Sequence, residues 1–356
     1  MTSELSSLCS YAKGKVSVDT LSKRNYVSTE NMMPNKGGIV DAGALPSAQY
    51  TQQYIKDDIL VSNIRPYFKK IWMADDDGGC SNDVLVFRAD RGCDSTFLYY
   101  ILANDAFFNY ASATSKGTKM PRGDKTAIMQ YKVPCFNYET QLRIGKLLRS
   151  IDDRIAVNKK INDNLQQQAQ AIYSSMFIDN PDPAWSHGHL SDLITVKYGK
   201  DHKKIADGIY PVYGSGGIMR YVERPLYNKE SVLIPRKGTL NNVMYVNQPF
   251  WSVDTMFYTE MKLPNVAKFV YHFVKAKDLA SMNAGSAVPS MTTDILNAME
   301  VVIPSASALE EFESLVAPMY EAMEANDVQS KALSQIRDTL LPKLMSGEID
   351  VSDVQL

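Results

Sequence analysis

A chain of 356 residues, 45% hydrophobic and 22% charged, is too long for one ordinary core and reads as a globular protein of two or more domains. No run approaches the ~18 apolar residues a membrane helix needs, and the opening MTSELSSLCSYAKGK lacks the basic-then-apolar order of a secretory leader. The expected setting is cytoplasmic, with Cys9, Cys80, Cys93 and Cys135 as free thiols.

The net charge of −2 argues against a nucleic-acid partner only until it is divided. Residues 1–137 carry 16 Lys/Arg against 14 Asp/Glu, 138–180 carry 6 against 5, 181–306 carry 13 against 11, and 307–356 carry 3 against 10. An acidic last segment masks a mildly basic remainder.

In chain order, the elements come twice. The first series is DILVSNIRPYFKKIWMA (58–74) and GCSNDVLVF (79–87), both strand-like, then TFLYYILAND (96–105), helical in pattern. A loop, GTKMPRGDKTAI (117–128), leads to a strand ending in proline, QYKVP (130–134), and a long helix over 139–177. That helix has apolar or small residues at 144, 148, 151, 155, 165, 169, 172 and 176, a heptad seam. NPDPAWSHGH (180–189) is a linker by composition. The second series repeats the order: SVLIPRKGTLNNVMYVN (231–247), FWSVDTMFY (250–258), AKFVYHFVKA (267–276), GSAVPSMTTDIL (285–296) and MEVVIP (299–304). A second long helix, 308–346, has Phe312, Val316, Met319, Met323, Leu333, Leu340 and Leu344 on its seam. Asn158 and Asn326 fall at equivalent seam positions and are candidates for fixing register. Pro318 and Pro342 are expected to bend or interrupt this helix.

A 39-residue helix runs about 58 Å, too long for a domain of this size. The expectation is that the two helices pack on each other, antiparallel, with a globular domain at each end.

This order of globular domain, long helix, globular domain, long helix resembles the specificity subunit of type I restriction–modification systems. The ending LLPKLMSGEIDV (340–351) and the loop GSAVPSMTTDIL before a strand and proline are similar to that family's; the first loop keeps the glycine and proline without the hydroxyls. The resemblance implies an α+β fold of two tandem target-recognition domains, each a mixed sheet with helices and each followed by a long helix. The two helices would form an antiparallel coiled coil with pseudo-two-fold symmetry. It divides the chain into domain 1 (1–137), spacer helix 1 (138–180), linker plus domain 2 (181–306), spacer helix 2 (307–346) and a tail (347–356). It further implies a non-catalytic protein binding double-stranded DNA, each domain reading half of a bipartite asymmetric site. The helices would dock two adenine methyltransferase subunits, and through the complex the motor–nuclease restriction subunits. S-adenosylmethionine, ATP and magnesium would belong to those partners, with no cofactor in this chain.

Sequence reading needs Lys and Arg for phosphates and Arg, Asn, Gln, Ser or Thr for base edges. Candidates in the first half are Ser62, Asn63, Arg65, Tyr67, Lys69 and Lys70, then Lys116, Lys119, Arg122 and Lys125. In the second they are Lys197, Lys200, Lys203 and Lys204, then Arg220, then Arg236, Lys237, Thr239, Asn241 and Asn242. Basic loops on a cytosolic protein are most often merely solvated. The architecture turns the reading, because the frame repeats while these stretches differ. Tyr67, Tyr198 and Tyr213 fit a core as well as a base.

Enzyme readings are weaker. YGSGG (213–217) lacks GxGxxG spacing and reads as a turn; NPDPAW (180–185) departs from the methyltransferase motif at Asp182. Asp254, Glu260 and Lys262 imitate a magnesium-dependent nuclease triplet, but Asp83 in the first half has no such followers. HGH (187–189) has no cysteine near it for a metal site. The alternatives kept are that nuclease and a non-catalytic coiled-coil scaffold. Steep salt dependence of DNA binding would distinguish a reader from a scaffold.

Overall fold

A computed structural model describes residues 2–282 and 290–351. The first half begins with strands β1 (Thr2–Glu4), β2 (Cys9–Tyr11), β3 (Lys15–Ser17), β4 (Tyr26–Val27), β5 (Tyr50–Tyr54), β6 (Ile59–Ser62), β7 (Ile71–Met73), β8 (Gly78–Cys80) and β9 (Val84–Ala89). Helices α1 (Ser95–Ala103), α2 (Asp105–Ala113) and α3 (Lys125–Met129), strand β10 (Lys132–Pro134) and the long helix α4 (Tyr138–Ser174) follow. The second half holds β11 (Ser186–His189), α5 (Leu190–Leu193), β12 (Ile194–Tyr198), β13 (Asp207–Gly214), β14 (Gly217–Val222), β15 (Ser231–Pro235), β16 (Met244–Val246), β17 (Trp251–Ser252) and β18 (Met256–Met261). It ends with α6 (Ala267–Lys275), α7 (Thr293–Asn297), β19 (Glu300–Ile303) and α8 (Ala306–Ser346).

The repetition read from the sequence is a repetition of topology. One antiparallel sheet runs β2-β9-β6-β7 and its counterpart β12-β18-β15-β16. Ser62 faces Val84 as Pro235 faces Met256. The structural register places β18 one residue beyond the sequence alignment, with Val84 answering Met256 rather than Thr255. In each half a further short pair closes the domain, β1 with β10 and β11 with β19. HGH therefore belongs to a strand rather than to the linker, since His187–His189 pair with Val302–Glu300. A second sheet in each half differs more: β3-β5-β8-β4 in the first, β14-β13-β17 in the second. YGSGG is the tight turn between β13 and β14.

The described residues form two compact units, one running to Asn158 and resuming at Asp327, the other Lys159–Asn326. Each long helix thus gives one half to each unit. In the first unit Ile144 and Leu148 of α4 share a core with Phe97, Leu98, Leu341 and Leu344. Arg337 meets Asp152 while Ser330 meets Asn158, so the helix segments run antiparallel. In the second unit Ala169, Tyr173 and Phe177 pack with Phe269, Phe312 and Val316, again antiparallel, since Asn326 meets Asn162 and Tyr173 meets Phe312.

Asn158, fully buried, donates to Gln329 and Ser330; Asn326 donates to Asn162. These contacts are equivalent, because Asn162 and Ser330 are as far apart in sequence as Asn158 and Asn326. Helix α8 runs through Pro318 and Pro342 without the interruption that either could have caused. Buried neighbours Val316, Tyr320, Leu341 and Leu344 anchor both turns, and their packing offsets a penalty of about 3 kcal/mol per interior proline.

Candidate nucleic-acid interface

In each unit the site grows from the end of the central strand, β6 or β15. There the chain leaves the sheet into a polar loop, and the loop preceding α3 or α7 is stitched to it. In the first unit Asn63 N–H donates to Asp83 O (2.8 Å) and Gly123 N–H to Asn63 O (3.1 Å). In the second, Arg236 N–H donates to Thr255 O (2.9 Å) and Met291 N–H to Arg236 O (2.9 Å). Bridges Ile64–Arg122 and Lys237–Ser290 complete the correspondence. The repeated loop is therefore a structural stitch in both copies, capped by Asp124 at α3 and Thr292 at α7. Gly285–Pro289 of the second copy lie outside the described residues.

In the first unit the stitch brings the two candidate stretches together. Arg65 N–H donates to Pro121 O (2.8 Å), and Lys116 and Arg122 exchange backbone hydrogen bonds. Arg122 pairs with Asp83 (3.0 Å) and Lys116 with Asp124 (2.5 Å). The Lys116 hydrogen bond, then backbone N–H groups of Ala127 and Thr126, hold the Asp124 carboxyl below the usual carboxylate range. Lys119 is exposed and makes no ion pair among the described residues. Lys125 lies over the Tyr11 ring.

Ser62 and Asn63 are buried; the Ser62 hydroxyl donates to Ile64 O, so both hold the loop instead of facing outward. On the far side of the loop Lys70 donates to Thr29 O, and burial lowers its ammonium pKa. Lys69 and Lys36 clamp Asp105. Burial alone would raise that carboxyl, but the two ammonium groups hold it low. Tyr67 stands exposed beside Phe68.

In the second unit the Arg236 guanidinium lies 5.4 Å from the centre of the exposed Tyr198 ring and donates to Asp254 O. Lys197 is 3.7 Å from Glu260; Lys200 and Lys237 are exposed. Asn242 donates to Ser215 O, tying the loop to the β13–β14 turn, and Asn241 donates to Asp278; Thr239, just before them in the chain, is exposed. Arg220 sits apart on β14, bonded to Asp207 and to Ile205 O, beside the loop carrying Lys203 and Lys204. Tyr213 is buried with Phe250. Lys69, Lys116, Arg122, Lys197 and Arg220 have carboxylate partners, yet exposed ion pairs contribute only about 0–1 kcal/mol, so a phosphate can displace them.

Sequence reading missed Lys13 and Lys15. With Tyr50, Gln52, Asn82 and Lys125 they line an open groove of about 400 Å³, next to Asp83 and Arg122. The signal was present, since Gly14-Lys15 follows β2 as Gly199-Lys200 follows β12. The nuclease triplet does not assemble. Asp254 precedes β18 and Glu260 stands near its far end, about 20 Å along a strand, and Lys262 donates to Ser191 O.

Two modules on one scaffold, each followed by half of a helix pair and each carrying its own polar loops, define a tandem recognition protein. The sequence places it further. Residues 1–167 and 184–312 match the family model of the type I restriction modification DNA specificity domain. The chain belongs to this family and is a DNA-sequence specificity subunit. It is similar to the type I restriction enzyme MjaIX specificity subunit of Methanocaldococcus jannaschii, at 24% identity over 74% of this chain and 71% of that protein. It is also similar to the HindI specificity subunit of Haemophilus influenzae, at 21% over 91% and 94%. Its fold matches the type I restriction–modification S subunit from M. genitalium, with a TM-score of 0.63 at 19% identity, covering 97% of this chain and 96% of that one.

Proposed function

We propose that each unit reads one half of a split, asymmetric DNA sequence and that the helix pair sets the gap between the halves. The helices carry two adenine methyltransferase subunits and, through them, the restriction subunits. The chain itself performs no chemistry; S-adenosylmethionine, ATP and magnesium act on the partners. One observation carries this reading. The backbone stitch at the end of β6 recurs atom for atom at the end of β15, while the residues on it differ: Asn63, Arg65 and Gly123 against Arg236, Gly238 and Met291. A constant frame with unlike side chains is what two unlike half-sites require.

The test is base-resolved adenine methylation in cells expressing this chain with its cognate methyltransferase, against the methyltransferase alone. The reading expects a motif of two short blocks around an unspecified gap, present only with this chain. Methylation that does not depend on this chain contradicts it.

A further inference from the structure

We propose that Arg65 is a specificity-determining residue of the first unit, its guanidinium reading a guanine in that unit's half-site. The inference rests on the function proposed above and names the side chain that performs part of it.

Three independent features meet at this residue. Its backbone is left-handed, with φ of +51°, a conformation unfavourable for any residue with a Cβ. Counting along the stitched loop from Asn63 and Arg236, the same step in the second unit is Gly238, with φ of +87°, the residue that adopts this conformation at least cost. The first unit thus holds an arginine where its own repeat shows that glycine suffices.

The guanidinium has no polar partner among the described residues. Arg122, Arg220 and Arg236 each donate to a carboxylate or carbonyl. Arg65 is half-buried, its Nε is shielded from solvent without an acceptor, and it makes no side-chain hydrogen bond or ion pair among the described residues. A shielded cationic donor without a partner is costly, and the neighbouring Asn63 Oδ1 is buried without a donor as well.

The backbone is meanwhile pinned. Arg65 N–H donates to Pro121 O and its carbonyl accepts from Phe68 N–H, so the side chain is aimed from a fixed base. Strain, an unpaired charge and a fixed origin together call for an acceptor outside the chain. Two acceptors suit a guanidinium fork, the O6/N7 edge of guanine and a phosphate. The contrast with Gly238 selects the first, since a contact that merely positions DNA would serve both units, whereas one confined to one unit is what unlike half-sites need.

The experiment compares methylation motifs of the wild-type complex with those of Arg65→Gly and Arg65→Lys, alongside the melting temperature of each purified chain. Arg65→Gly is expected to melt at or above the wild-type temperature and to relax one G·C position of one block by tenfold or more, leaving the other block unchanged. Arg65→Lys, keeping the charge without the fork, is expected to relax the same position. An unchanged motif overturns the proposal, and so does a uniform loss of methylation without relaxation, which assigns Arg65 to a phosphate. If Arg65→Gly lowers the melting temperature, the strain argument falls, and an intact motif with Arg65→Lys then overturns the rest. Absence of any split motif with the wild-type chain would instead strike the function proposed above, so the two failures are distinguishable.

Discussion

The two units solve one packing problem with different side chains. Beside the end of β6 the space is taken by Asn63, and Gly123 makes room for it, since a Cβ there would stand 2.8 Å from Asn63 Oδ1 and from Ile128 Cδ1. At the equivalent place beside β15 the space is filled by Met291, buried in the second core, and Arg236 is free to lie across Tyr198. The backbone hydrogen bonds are the same in both. The lesson is that main-chain stitching fixes the loop, so the side chains on it can be redistributed between core and surface without moving the frame.

That comparison breaks first at Met291. Met291→Ala leaves a cavity and is expected to cost the second unit about 2–5 kcal/mol, seen as a lower urea midpoint. Gly123→Ala overpacks the first unit and is expected to cost about 1–3 kcal/mol. If either change proves neutral, the slot is not shared in the way described.

A second contrast lies where each unit meets the long helices. In the first, Tyr100 of α1 donates to Asp152, which also pairs with Arg337. In the second, His272 at the same place in α6 bonds Gln170 and Tyr320. Burial disfavours the charged imidazole and pulls the His272 pKa from 6.5 to about 4. Below pH 6.5 the unfolded chain binds a proton that the folded unit does not. The second unit is therefore expected to lose roughly 3 kcal/mol as pH falls from about 6.5 to about 4, and nothing from this group above 6.5. Urea unfolding at several pH values checks this, with His272→Gln expected to remove that part of the slope.

The smallest expected effects are at the surface. Lys119→Ala in the first unit and Lys237→Ala in the second should each change stability by no more than about 0.5 kcal/mol. Each should weaken DNA binding of the assembled complex across all sequences and flatten its salt dependence by about one phosphate contact. Loss of a single base preference would move that lysine from the phosphates to the bases.

Much of the frame was legible because it is written in long-range pattern. The strand and helix series repeat in order, and heptad residues such as Ile144, Leu148, Phe312 and Val316 are buried. What stayed hidden depends on partners far along the chain. Strands of two to four residues such as Tyr26–Val27 and Ser186–His189 exist only through pairing with Gly79–Cys80 and Glu300–Ile303. The continuity of α8 through Pro318 and Pro342 was not legible, because local propensity omits the packing around them. At the site, basic stretches were visible as groups. Burial of Ser62 and Asn63 and the ion pairs of Lys69 and Arg122 were not, since each rests on a residue from another segment. The exception is Gly14-Lys15, which its counterpart Gly199-Lys200 could have disclosed.

The central claim, one frame carrying two interchangeable readers, is tested most directly by replacing residues 186–303 with a second copy of residues 2–134 and sequencing adenine methylation with the cognate methyltransferase. The account predicts a split motif whose two blocks both carry the first unit's half-site. A motif that keeps the second half-site, or acquires bases found in neither, would contradict it.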